Sequence, residues 1–520
     1  MIHVFAARPD AVASSLVVAA LRRSVSHDLV APTVPDGLPE ASIAVCIHPD
    51  EARGEQLWCW LHEQPRKLIL FGRLPSSLRV PFDVRVVEWP ASAESWAYSA
   101  PAPVGGCAES AGRIVYRQKA SAFAAAGWER ALERFDFADE WNNLAYGAIR
   151  ADGSLWALAE PLQAPEDCGL ADLAIDGEAR LTYCAMFEAG ASSVLWFNRP
   201  VGPIDSFEWR LVERFLSNWC SDTQPCCPVI SEIPWGHDSA ITMRLDCDED
   251  ITSARPLWGA YRQMDVPLSL AIHSSNLHDD THYSFLREFG EAGGAVLSHT
   301  ATHAPNWGGS YEAALAEGME SRARIKAATG VSVAYAVSPF HQSPAYALAG
   351  LCDADYQGCI GGIIRNDPEF LLARGGELAG LPRGFIGHSQ QTMLHGDCML
   401  AEGDPLRIFK AAYDRAYEIR TLFGYLDHPF SVRYQYGWSD EAQRIDAHRR
   451  FIQHIRTRAT NPLFMDEIQA MDFLRARAAI KIAEDAAGQI CHAADAPEGL
   501  AFGVEFRNVF QPLACGTTLT

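Results

Sequence analysis

The sequence predicts an α/β protein in three pieces: a doubly wound α/β domain over residues 1–228, a (β/α) barrel over 229–485 and a C-terminal extension over 486–520. Three observations predict it. Short apolar runs alternate with amphipathic helical stretches on both sides of residue 228, the pattern of strands joined by crossover helices. A linker containing Gln224-Pro-Cys-Cys-Pro228 and Ile233-Pro-Trp-Gly236 marks a shift of composition between Asp222 and Asp238. Reactive side chains then fall at the C-terminal ends of apolar runs in the second part, which is where a barrel of parallel strands collects them. At 520 residues the chain also exceeds what one core usually serves.

In the first part, residues 2–6 read as a buried strand, Asp10 as an N-cap and 11–23 as a helix with basic residues in its last turn. Residues 42–47, 67–71 and 84–89 read as further strands, with a helix over 51–64. The result resembles a Rossmann-like or flavodoxin-like half-sheet. It lacks GxGxxG and GxxxxGK[ST], so no nucleotide site is expected there. Residues 144–149 and 155–158 flank Asp152-Gly153, a hairpin turn signal, and 194–197 is another strand before a helix over 204–219. The run Leu195-Trp-Phe-Asn-Arg199 with the helix after it resembles glutamine-amidotransferase-like sheets, without a nucleophile elbow. This part is therefore expected to scaffold, to form a homo-oligomer or to bind glycan, and a piece starting near Ser231 is expected to keep a metal site of its own.

The second part opens on Ile241-Thr-Met-Arg-Leu245, an apolar run that delivers Asp246, Asp248, Glu249 and Asp250. A later run, Ala295-Val-Leu-Ser298, delivers His299-Thr-Ala-Thr-His303. Two imidazoles four apart reach one cation from a single helical turn, and a carboxylate from a neighbouring strand completes three ligands with a position left for water. The spacing alone is weak: 17 His in 520 residues give roughly 0.5 such pairs by chance, and the chain has a second pair in His278 and His282. That second pair lies in an Asn/Asp-rich run and reads as a solvated loop. Two carboxylates held together at the end of an apolar strand repel unless a cation or proton intervenes, which singles out Asp246 and Asp248.

From Thr242 to His303 the chain resembles the polysaccharide deacetylases of the NodB-homology type, carbohydrate esterase family 4. The acid cluster resembles their first motif and His299-Thr300-Ala301-Thr302-His303 matches their H-T/S-x-x-H at every fixed position. The resemblance covers about 230 residues, with its strongest motifs in the first third, and implies a distorted seven-stranded (β/α) barrel. It further implies Asp248, His299 and His303 as ligands of a divalent metal, Zn²⁺ before Co²⁺, Ni²⁺ or Fe²⁺, and Asp246 as base; Glu249 and Asp250 keep the division among the acids open. His428, after the apolar 421–427 segment, resembles the family's last motif and would be the acid. The third motif is incomplete. Ser338-Pro339-Phe340-His341 keeps the Pro-aromatic wall, so Pro339, Phe340 and His341 are expected to line the substrate, but the motif Arg is absent. Arg383 and Arg365 are candidates to replace it, with Arg244 ranked below them; His388 and Asp397 are further cleft candidates.

The implied reaction is removal of an N-acetyl group from an N-acetylated sugar or polysaccharide. The alternatives are hydrolysis of a non-sugar C–N bond, as in allantoinase-like or formamidase-like relatives, and a glycan-binding pseudo-enzyme. A formal charge of −22 argues against nucleic acid, anionic membrane surfaces and polyanionic polymers as partners. Fourteen scattered cysteines without a CxxC read as reduced thiols, and the N-terminus has no basic segment leading an apolar run; together these predict a cytoplasmic protein. No run of 18 apolar residues predicts a transmembrane segment.

Overall fold

The computed structural model describes residues 1–6, 12–32, 38, 41–91, 112–124, 129–131, 158–203, 208–362, 374–485 and 488–519. The expected Asp10 cap, the Asp152-Gly153 hairpin and Arg365 lie outside the described residues. Within them the chain is a mixed α/β protein built on two large sheets.

The first sheet begins as the sequence predicts. Ile2–Ala6, Ile43–Ile47, Lys67–Phe71 and Ser192–Phe197 pair in parallel, with Val30–Pro32 at the edge. Lys67–Phe71 is buried at every position, the near-continuous burial of a strand covered on both faces. Beyond Ser192–Phe197 the sheet changes character: Glu178–Ala189, Gly169–Ile175 and Gly112–Tyr116 join in antiparallel order. Asp176 and Gly177, both at positive φ, make the tight hairpin between two of them. The doubly wound expectation is thus corrected to a sheet that is half parallel and half antiparallel. The fourth strand expected over 84–89 shrinks to Arg85–Val86, which pairs with Leu162–Gln163 outside this sheet.

Seven segments form a ring within the second sheet: Ser239–Cys247, Ser269–Ile272, Ala295–Ser298, Tyr335–Val337, Gly358–Gly361, Ile386–Ser389 continuing to Thr392–Met393, and Phe423–Asp427; Pro462–Met465 adds a parallel partner to Ser239–Cys247 and Gly376–Glu377 an antiparallel one to Ile386–Ser389. Every pairing between successive members is parallel. The segment 386–393 closes the ring, because its first half pairs with Gly358–Gly361 and its second half with Phe423–Asp427. Gln390 N–H donates to Gly361 O on one side at 3.3 Å and Gln391 N–H to Gly424 O on the other at 2.8 Å. Helices cover the ring and are cleanly terminated: Ser310 caps Tyr311–Thr329, and Gly330 at φ 80° ends it. Since all seven strands run the same way, residues just beyond each strand's C-terminus meet at one end of the ring.

The last segment departs from expectation. The helix expected over 471–484 is Glu467–Ala478, opened by an Asp466/Gln469 capping box, and Lys481–Asp485 is a strand. The strand expected over 502–510 is a hairpin, Phe502–Phe506 and Val509–Leu513, turned by Arg507 and Asn508 at positive φ. Its first strand pairs with Val229–Ile230, and Phe502 and Val504 share a core with Leu211 and Phe215. A buried ion-pair cluster joins the same regions: Arg374 forks onto Glu213 at 2.8 and 2.9 Å, and the Thr421 hydroxyl donates to Glu232.

Candidate metal centre

Four of the ring strands contribute these residues to one end. Asp246 is the penultimate residue of Ser239–Cys247 and Asp248 the first beyond it; His273, His299 and His428 each follow directly on their own strands. The sequence could place these side chains at strand ends but not beside one another; the parallel register does that, with Cys247 opposite Ile272 and Ile272 opposite Ser298.

Asp248 is the centre of the group. Its Oδ1 lies 3.2 Å from His299 Nε2 and 3.4 Å from His303 Nε2, and its Oδ2 lies 3.3 Å from His428 Nε2. Candidate ligand atoms of Asp248, His299 and His303 all fall within 4.8 Å of one another. His299 Nδ1 is 3.1 Å from Val337 O, a pure acceptor, so this nitrogen carries a proton, and in the neutral ring Nε2 is a bare lone pair facing Asp248. Burial opposes charge on the His299 ring, but Asp246 and Asp248 raise its pKa above the ordinary value. Asp248 Oδ1 is buried and accepts no well-aligned hydrogen bond among the described residues. A carboxylate oxygen and imidazole lone pairs converging on one point repel each other unless a proton or a cation lies between them, and one oxygen with two nitrogens is a donor set that fits a divalent metal. Burial opposes charge on Asp248, but His428 and His299 outweigh it and hold the carboxyl well below the usual range. Burial, with His299 beside it, pushes His303 down to about 4, which leaves it neutral and able to ligate.

The H-T-A-T-H segment is not a helical turn, contrary to the expectation from its spacing. Residues 299–304 form a loop with Thr300 at φ 67° and His303 at φ 55°, both left-handed. Glu317, from the helix Tyr311–Thr329, holds this strained backbone: its Oε2 accepts from Ala301 N–H at 2.9 Å and from Thr302 N–H at 2.8 Å, and its Oε1 from the Thr302 hydroxyl at 2.5 Å. The Asp248 backbone is fixed too, by Asn276 Nδ2 donating to its carbonyl at 2.5 Å.

Asp246 is buried and gripped by Arg244, whose Nε and Nη2 donate to its two carboxylate oxygens at 2.6 and 3.2 Å. Burial opposes the charge of Asp246, but Arg244 and then His299 hold its carboxyl below the ordinary range. The ranking of replacement arginines is therefore corrected. Arg244 makes the ion pair, while Arg383 precedes the N-terminus of Ile386–Ser389, at the opposite end of the ring, and faces Asp28 and Glu377 at 3.7 and 3.8 Å.

His428 has its ring between two partners. Nε2 faces Asp248, Nδ1 lies 2.8 Å from His395 Nε2, and the ring stacks on Tyr436 with centroids 4.2 Å apart. Burial works against its charge, but Asp248 and Asp246 raise its pKa above the ordinary value. Of the expected wall, Pro339 is buried, and Phe340 is 48% exposed with its ring 4.5 Å from that of His303. His341 lies among charges from Asp246, Arg244 and His428, with Nε2 3.3 Å from Met393 Sδ. His388 is buried within its strand and does not join the group. Asp397 packs against Gly437. Asp250 caps the next turn by accepting from Thr252 N–H at 3.0 Å, and His282, 3.5 Å from Asp250, sits in the first turn of Asp280–Glu291 instead of in a loop. Sequence reading misses His395, Glu317 and Asn276; for His395 the available signal is its place two residues before Asp397.

No protein-family model and no curated protein matches the chain. Solved structures that match include a protein assigned as a polysaccharide deacetylase from Mycobacterium smegmatis, at 14% identity and TM-score 0.39, covering 47% of this chain and 93% of that one. They also include an allantoinase, at 12%, TM-score 0.35, 46% and 91%, and a family 4 acetyl xylan esterase from Clostridium thermocellum in complex with cobalt, at 10%, TM-score 0.30, 45% and 90%. Among the described residues no helix is long and apolar enough to cross a membrane.

Proposed function

We propose that the protein is a metal-dependent amide hydrolase that removes an N-acetyl group from an N-acetylated sugar or polysaccharide, at the end of a distorted barrel spanning 229–485. The observation that carries this reading is the convergence of Asp248 Oδ1, His299 Nε2 and His303 Nε2 on one point, beside a separately held carboxylate and a separately held imidazole.

Asp248, His299 and His303 would hold the metal, Zn²⁺ foremost. When bound, such a cation supplies Lewis acidity toward an amide carbonyl and toward water. The remaining chemistry belongs to the chain. Asp246, ionised and fixed by Arg244, accepts the proton of the attacking water. His428, across Asp248 from the two ligand histidines, gives a proton to the departing amine nitrogen, which without it is a poor leaving group. Phe340 offers an exposed apolar face beside the site, suited to a sugar ring.

Arg244 bears on the alternatives. A missing motif Arg favours a pseudo-enzyme, and a bidentate Arg partner for Asp246 removes that support. The test is metal analysis of the purified protein, followed by assay of acetate release from N-acetylglucosamine oligomers and of ring opening of allantoin. Metal at about one per chain with acetate released supports the reading. Metal with activity on allantoin alone would move the assignment to a non-sugar C–N bond, and absence of metal binding would end it.

A further inference from the structure

We propose that His395 is a positioning residue that sets which ring nitrogen of His428 carries its proton, an inference that rests on the hydrolase reading above. The two histidines are placed by one register: Met393 is the cross-strand partner of Leu426, so His395 and His428 each stand two residues beyond a paired position. Leu394 N–H donates to Leu426 O at 2.8 Å and extends the pairing to their doorstep. Tyr436 packs against both rings, with centroids 4.2 Å from His428 and 5.1 Å from His395.

His395 Nε2 and His428 Nδ1 are 2.8 Å apart and buried. Two bare nitrogens or two N–H groups would repel at that distance, so one proton lies between them. The other nitrogen of His428, Nε2, lies 3.3 Å from Asp248 Oδ2, an acceptor. One arrangement of a neutral His428 satisfies both contacts: His395 Nε2–H donates to a bare Nδ1, and the His428 proton sits on Nε2, the nitrogen that faces the site. Burial and the neighbouring His428 push His395 down to about 3, so its ring is neutral and has one N–H to give.

Asp427 stands behind the pair. Its Oδ1 accepts from the His428 backbone N–H at 2.7 Å and lies 3.6 Å from His395 Nε2, while its Oδ2 is held by Arg444 Nε at 2.7 Å and faces His448 Nε2 at 3.0 Å. A carboxylate touching His428 Nδ1 could only accept a hydrogen bond and would hold the ring as a cation. An imidazole in that place donates to the neutral ring and, in its other tautomer, accepts from the cationic one. His395 can thus support His428 before and after it gives up its proton.

The test uses the full chain with ring-¹⁵N histidine, the His428 signals being assigned by their loss in His428→Gln. Spectra are taken at a pH above the raised pKa of His428, where its ring is neutral; there the expected result is an Nε2-protonated His428 in the native protein and in His395→Gln, and a mixture of tautomers in His395→Phe. With tetra-N-acetylchitotetraose as substrate, His395→Phe is expected to lower kcat by about 10-fold or more with KM and bound metal unchanged, and His395→Gln to restore most of it. An Nδ1-protonated His428 in the native protein overturns the proposal, as does an unchanged tautomer in His395→Phe or a loss of kcat that tracks loss of metal. If the native protein releases no acetate, the hydrolase reading fails, and the tautomer comparison still decides the role of His395.

Discussion

Arg244 and Asp246 stand two residues apart on one strand, point to the same face, and form a two-pronged ion pair that water does not reach. Removing one partner strands the other charge in a buried setting, a cost of about 3–5 kcal/mol. Arg244→Met is therefore expected to lower the unfolding free energy by about that amount and to abolish turnover, because an unpaired Asp246 escapes the penalty by taking up a proton and ceases to be a base. Denaturant melts of R244M and of the double variant R244M/D246L measure this. The double variant should regain most of the stability and none of the activity. A shift below about 1 kcal/mol in R244M would mean that the pair is not what holds Asp246.

The roles of the two acids separate by metal content. Asp246 is committed to Arg244, whereas Asp248 Oδ1 faces two imidazole nitrogens at 3.2 and 3.4 Å. Asp248→Asn is expected to lose the metal, and Asp246→Asn to keep it while turnover falls about 100-fold or more. Metal analysis and steady-state kinetics on both variants decide it, and the opposite pattern would exchange base and ligand.

Legibility of the site from sequence divides along physical lines. The strand ends that carry Asp246, Asp248, His299 and His428 were readable because apolar runs feed them, and parallel packing brings such ends together. The conformation of His299–His303 was not readable: four-residue spacing suggests a helical turn, while the actual loop depends on Glu317, a residue 14 positions beyond His303 whose role exists only once its helix packs. Alternation along the strand puts Arg244 on the face of Asp246 and Asp248, but alternation alone does not separate a partner from a coincidence; the two-pronged contact does. The antiparallel half of the first sheet was hidden differently. Gly169–Ile175 is buried throughout and Glu178–Ala189 is buried without a break from Leu181 to Phe187, so the alternation that marks an antiparallel strand is missing from them.

Glu317 supplies a prediction about the metal site that involves no ligand. It fixes two backbone N–H groups and one hydroxyl in the loop between the ligand histidines, where Thr300 and His303 hold left-handed backbone conformations. Glu317→Ala frees that loop to relax, so metal affinity is expected to fall about 10- to 100-fold, the usual scale for supports of a ligand, with the fold intact. Competition titration with a chelator of known affinity reads this directly. Unchanged affinity would show that the loop keeps its shape without the carboxylate.

The last prediction concerns the cluster between the two large sheets. Glu213 is buried, and although burial disfavours its charge, Arg374 and Arg210 bring its pKa down from 4.5 to about 2. A carboxyl with a depressed folded-state pKa binds protons more tightly in the unfolded chain, so its stabilisation is complete above pH about 4.5 and is lost as the pH falls toward 2. The shift corresponds to stabilisation on the order of 3 kcal/mol. Unfolding midpoints measured between pH 6 and pH 3 should therefore fall more steeply in the native protein than in Glu213→Gln, which has no proton to take up there but leaves Arg374 underpaired and is less stable at pH 6. Removing residues 1–228 would expose Arg374 in the same way, and such a piece is expected to aggregate even where the ligand residues are all present. Parallel pH profiles for the native protein and Glu213→Gln would show that Glu213 is already protonated or unpaired in the folded state.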